Sequence, residues 1–133
     1  MMVTNRIITR LSGFSFYSAL IKIAWCFVFL LPIQTFAAVR SYDSMAIIAN
    51  ENVWGIALCM IGILHLASIF SLRLLARIIM QIVSIGVWLF MATMFGISNP
   101  VGTGLWTYAF AAMCDFIAIV YLLRFEKGVY RHG

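Results

Sequence analysis

Four stretches of this chain, roughly 14–39, 53–72, 78–97 and 105–123, are too long and too apolar to live in water. A helix needs about 20 mostly apolar residues to cross a bilayer, and each stretch is long enough. None alternates apolar and polar positions as barrel strands do. The expected fold class is therefore all-α: an integral membrane four-helix bundle with short loops. Composition excludes a soluble alternative. Of 133 residues, 65% are hydrophobic and 10% charged, against about 45–50% and about 25% in soluble domains.

The links divide the chain into a segment 1–13, a transmembrane domain 14–124 and a tail 125–133. In the first segment Ile7, Ile8, Leu11 and Phe14 suit an amphipathic turn at the membrane interface. "VRSYDSMAIIANEN" joins the first two spans. Ser41 or Asp43 is expected to cap one helical turn there, with Met45, Ile47 and Ile48 resting on the membrane surface. "SLRLLAR" joins the second and third, and "SNPVGTG" the third and fourth, where Asn-Pro and two glycines break the helix. Links this short force consecutive spans to run antiparallel.

Orientation follows from the basic residues. Arg6 and Arg10, then Arg73 and Arg77, then Arg124, Lys127 and Arg131 all fall on one side of a four-span chain. The other side carries only Arg40, beside Asp43 and Glu51. The positive-inside rule then predicts both termini in the cytoplasm, N-in and C-in. Trp54 and Trp106 begin the second and fourth spans, where interfacial aromatics belong. The first run also reads as a signal peptide cleaved near Ala37 and Ala38. Its n-region, longer than about 20 residues and containing Phe14, Phe16 and Tyr17, favours a retained helix kinked at Pro32.

Asp115 stands inside "AAMCDFIAIV", with only apolar neighbours. At 1.5 Å per residue it lies about 13 Å from the end marked by Arg124. His65 lies about 9 Å in from the same side, and Lys22 about 12 Å. Gln81 and Ser84 fall just below that layer. Ala111, Ala112 and Ala118 surround Asp115 at helical spacing, and Gly55, Cys59 and Gly62 lead to His65. Small residues mark packed helix faces, so the ionisable groups are expected to point into the bundle. Lys22 and Asp115 are expected to pair, with His65 bonding to Gln81 or Ser84. Such a layer either holds helices together or serves a polar path; helix pairing is the favoured reading.

The chemistry this excludes is broad. No nucleophile elbow, phosphate loop, HExxH or carboxylate pair is present, so no catalytic residue, cofactor site or enzyme activity is expected. Cys26, Cys59 and Cys114 sit singly in apolar runs without histidines at ligand spacing, so no metal site is expected either. The net charge of +5 is placed at span ends, which suits anionic lipid rather than nucleic acid.

Around residues 41–123 the elements "SYDSMAIIANENVWG", "SLRLLAR" and "SNPVGTGLWTY" resemble small four-span membrane proteins of bacteriophages and prophages, loosely grouped with holins. The resemblance implies a bacterial inner membrane, with self-association and permeabilisation of the membrane as the activity. The alternative is a non-conducting accessory protein: a scaffold, an assembly partner or an exclusion factor. Expected partners are the lipid bilayer, further copies of the chain and other membrane proteins. Gly55, Gly62, Gly86 and Gly96 suggest small-residue faces to spare for such contacts.

Overall fold

The structure of the chain, a computed structural model, describes residues 13–31, 36, 39–71 and 73–126, excepting the side chains of 41, 125 and 126. Residues 1–12, Pro32, Ala37, Ala38, Lys127 and Arg131, on which several expectations rest, lie outside that set.

Four long helices dominate: α1 (Gly13–Leu30), α3 (Glu51–Phe70), α4 (Leu74–Ser98) and α5 (Thr103–Tyr121). A short helix, α2 (Asp43–Ile48), lies between the first two. No strand occurs among the described residues. All four long helices are long and apolar enough to cross a membrane. The chain is thus an all-α four-helix bundle whose long helices suit an integral, multi-pass membrane protein.

The boundaries differ from the sequence reading in physically instructive ways. α1 stops at Leu30 rather than reaching Val39, which is extended. Leu31 precedes Pro32, and the proline ring disfavours the helical region for the residue before it. α4 begins at Leu74, four residues before the expected 78, because "LLARII" offers nothing to stop a helix. Arg77 is therefore inside α4 and buried. α3 begins at Glu51, where the Asn50 side chain accepts a hydrogen bond from the Val53 amide at 3.0 Å. That bond satisfies one of the amides a helix start leaves open. α5 gives way to a wider π-helical turn, Leu122–Glu126.

The link between α1 and α3 departs furthest from expectation. A 3-10 turn, Arg40–Tyr42, leads into α2, whose N-cap is Tyr42 with no side-chain capping bond. Asp43 therefore does not form the expected cap, and the Ser41 side chain lies outside the described set. Tyr42 and Met45 share one face three residues apart and are buried in the bundle, so Met45 does not rest on the membrane surface. Ile47 and Ile48 are exposed, as expected. Ser98 donates to the Ser44 hydroxyl at 2.7 Å, and the Ser44 amide donates to Ser98 at 3.1 Å. The Trp54 indole donates to the Met45 carbonyl at 3.1 Å.

Two antiparallel pairs make the bundle. α1 lies along α3, where a Cβ on Gly62 would come within 2.8 Å of Ile23 and one on Gly55 within 3.0 Å of Leu30. α4 lies along α5, where Phe95 covers Gly104 and Leu105 covers Gly96. The α3–α4 and α1–α5 seams close more loosely. The bundle thus has a terminal end, carrying Gly13, Ser71, Arg73 and the π-helical turn, and a linker end, carrying residues 39–50 and 99–102.

Candidate functional site

Each polar side chain of the terminal half sits one helical turn from the next. On α1, Ser15, Ser18 and Lys22 follow a spacing of three and four residues; on α4, Gln81, Ser84 and Trp88 do the same. This spacing places each trio on one helix face. His65 comes from α3 and Asp115 from α5. All eight are buried, with Lys22, Ser84, Trp88 and Asp115 at 0% exposure.

Asp115 accepts at both oxygens. Gln81 Nε2 donates to Oδ1 at 2.7 Å. Ser18 Oγ donates to Oδ2 at 2.8 Å, and Ser84 Oγ donates to the same oxygen. Three donors directed at its two oxygens fit an ionised carboxylate. Lys22 Nζ donates to the Ser18 carbonyl at 3.1 Å, to Ser18 Oγ at 2.8 Å and to Ser84 Oγ at 2.5 Å. It also stands 4.5 Å from the centre of the Trp88 ring, a favourable place for a cation. Trp88 Nε1 donates to Ser18 Oγ at 2.9 Å.

The expected Lys22–Asp115 pair is present in a modified form. Nζ and Oδ2 are 4.0 Å apart, and Ser18 and Ser84 mediate between them. Each serine accepts from the ammonium and donates to the carboxylate. The 3.2 Å approach of the two hydroxyls to one another is then geometric, since both protons are directed at Asp115.

The amide of Gln81 is oriented by this arrangement. Its NH₂ must face the carboxylate, so Oε1 accepts from Ser15 Oγ and from His65 Nε2, each at 3.0 Å. His65 therefore bonds to Gln81 and not to Ser84. With Nε2 as donor, the neutral ring leaves a lone pair on Nδ1, which is buried without a partner among the described residues. Ser68, one turn further along α3, donates to the His65 carbonyl at 2.7 Å.

All five residues of the expected polar layer therefore converge, and Gln81 and Ser84 lie within it rather than below it. Sequence reasoning missed Ser15, Ser18 and Trp88. Their signal was present: the serines precede Lys22 by seven and four residues, and Trp88 follows Ser84 by four. Of the expected packing residues, Gly55, Gly62, Ala112 and Ala118 are buried. Cys59 is half-buried beside Cys26, and Ala111 is half-buried on the α1–α5 seam.

The linker half is built from rings. Tyr42 lies between Phe29, Phe36 and Phe95 with centroids 5.7, 5.3 and 5.0 Å away. Tyr108 stacks on Trp88 at 5.7 Å and meets Phe95 at 4.9 Å. Offset and edge-on pairs at these spacings are attractive beyond their buried area. Tyr42 is buried near Glu51, and burial first, then that carboxylate, pushes its phenol up to about 12.

Comparison of the chain with protein-family models, curated proteins and solved structures finds no match.

Proposed function

We propose that this protein is a non-enzymatic accessory protein of a bacterial inner membrane, acting as a closed bundle through lateral contacts, with both termini in the cytoplasm. One observation carries the reading. The buried charges and the Gln81 amide are bonded to one another inside the terminal half, and Trp25, Trp88 and Tyr108 stand between them and the linker end. A path for ions needs polar groups along its whole length. Among the described residues the buried charged groups occupy half of it, and their bonds hold helices together.

The lateral surface supports association. The α3–α4 seam leaves an apolar groove of about 290 Å³ lined by Trp54, Ala57, Leu58, Val83, Gly86 and Phe90. A Cβ on Gly86 would meet nothing within 4 Å. Gly55, Gly62 and Gly96 are covered within the bundle, so the spare small-residue face reduces to Gly86. Small residues allow close approach of helices in lipid, and a second copy is the occupant this reading gives the groove. The same groove favours a second reading, holin-like permeabilisation, in which a lesion opens between assembled bundles.

Expression of the chain alone, with membrane potential and cross-linking followed together, separates the two. A closed accessory bundle holds the potential while a discrete dimer forms and is lost in Gly86→Leu. Depolarisation that tracks the appearance of larger oligomers would replace it with the permeabiliser. Reporter fusions at Asn50 and at the C-terminus check orientation, and a cytoplasmic signal from Asn50 would reverse it.

A further inference from the structure

We infer that the α1–α5 seam is a binding site for a single-chain amphiphile with an uncharged, hydrogen-bonding head. Two cavities carry the inference. One, of about 320 Å³, opens at the linker end; the other, of about 240 Å³, runs along the seam towards Ser18. Both are lined by Trp25, Thr107 and Tyr108, so they adjoin.

The linker-end cavity presents donors that the protein does not use. Tyr42 and Tyr108 both line it and are only 6% and 4% exposed. Neither phenol oxygen has a hydrogen-bond partner among the described residues, and neither is sealed off completely. Both rings line this one small space, and a phenol hydroxyl without a protein partner is a donor open to a ligand. A ligand oxygen supplies what is missing. No charged side chain among the described residues lines this cavity, and the nearby Glu51 carboxylate opposes an anionic head. An ammonium head has no acceptor to offer two phenol donors, so the head is a neutral oxygen group.

The seam cavity specifies the rest. Its walls are apolar or aromatic, with Tyr17, Ile21, Phe110 and Cys114 along the membrane-facing side. At its deep end Ser18 Oγ already donates to Asp115 and accepts from Lys22 and Trp88. A fully engaged hydroxyl offers a ligand nothing, so the deep end takes an apolar tail. Head at Tyr42 and Tyr108, tail along the seam: this is how a membrane amphiphile of one chain lies. The assignment is independent of whether bundles associate.

The test uses the full chain in phosphatidylcholine nanodiscs, since a single-chain detergent would compete. The probe is a monoacylglycerol carrying a diazirine in its chain, with adducts mapped by mass spectrometry. Saturable labelling is expected on the α1 and α5 seam residues, displaced by unlabelled monoolein. Joint replacement Tyr42→Phe and Tyr108→Phe should weaken displacement about tenfold, as two neutral hydrogen bonds would. Cys114→Trp should block seam labelling with both tyrosines in place, which keeps the test decisive if the double variant folds poorly. Labelling spread equally over lipid-facing positions such as Ile56, Met60 and Ile63 would overturn the site. Equal displacement by oleate or lysophosphatidylglycerol would overturn the neutral head.

Discussion

The terminal and linker halves of one bundle are held together by opposite means. In the terminal half, Ser15, Ser18, Lys22, His65, Gln81, Ser84 and Asp115 make directional bonds that join all four long helices. In the linker half the same helices meet through Trp25, Phe29, Leu58, Phe95 and Tyr108, with the 3-10 turn adding Tyr42 and α2 adding Met45. Within a bilayer an apolar contact between helices gains little over contact with lipid, whereas a polar group left alone is costly. The terminal half therefore fixes which faces meet. The linker half tolerates looser fitting, and both seam cavities reach into it through Trp25 and Tyr108. A small membrane bundle can thus be specified at one end and remain adaptable at the other.

The comparison breaks most severely at Asp115. Asp115→Asn leaves the Lys22 ammonium buried with no counter-charge, and removing one member of a buried pair costs about 3–5 kcal/mol. Folded yield in membranes and the unfolding temperature in micelles should both fall. Adding Lys22→Met removes the orphan charge and should recover much of the loss. Equal damage in the single and double variants would mean that the terminal half is held by the serines and Gln81, with the ion pair incidental.

Two glycines sharpen the distinction between inner and outer helix faces. A Cβ at Gly62 would come within 2.8 Å of Ile23, 3.1 Å of the Lys22 Cβ and 3.2 Å of the Ala19 carbonyl. α1 must then move away from α3, and with it Lys22. Gly62→Ala should cost about 1–3 kcal/mol, as overpacking does. Gly86→Ala meets nothing and should leave thermal unfolding of the bundle unchanged or slightly improved, since alanine is the better helix former.

How much of this was legible beforehand follows the same division. Lys22, His65, Gln81, Ser84 and Asp115 could be found because a polar residue in an apolar run is conspicuous and helix rise gives its depth. Ser15 and Ser18 were overlooked because they lie near the start of the first run, where polar residues are unremarkable. Trp88 was overlooked because an indole among apolar residues reads as lipid-facing. The linker half was largely opaque. Nothing in "SYDSMAII" says whether Tyr42 and Met45 turn to the membrane surface or into the bundle; the aromatic space between Trp25, Phe29 and Phe95 decides it, and that space exists only after the helices pack. The end of α1 was legible in principle from Pro32.

Trp88 belongs to both halves, and a conservative change there weighs them against each other. Trp88→Phe keeps a ring facing Lys22 and Tyr108 but removes the indole N–H bonded to Ser18. A neutral hydrogen bond contributes about 0.5–1.5 kcal/mol, so the unfolding temperature should drop modestly. A loss as large as that of Asp115→Asn would show that the stacking of Trp88 on Tyr108 couples the halves far more tightly than their separate chemistry implies.

The smallest effect belongs to Tyr42. Its phenol is raised from about 10 to about 12 by burial and, less strongly, by Glu51. The sign follows from linkage. As pH climbs between these values the unfolded chain releases the Tyr42 proton before the folded one does, so unfolding is increasingly favoured. The contribution is whole below about pH 10 and is lost as pH passes the folded value of about 12. The difference between parent and Tyr42→Phe tyrosinate absorbance isolates this one titration and should show a midpoint near 12. Glu51→Gln removes the nearby carboxylate but not the burial, so the midpoint should fall only part of the way back. A return to the ordinary tyrosine value in that variant would mean that Tyr42 is not enclosed by the rings of the linker half.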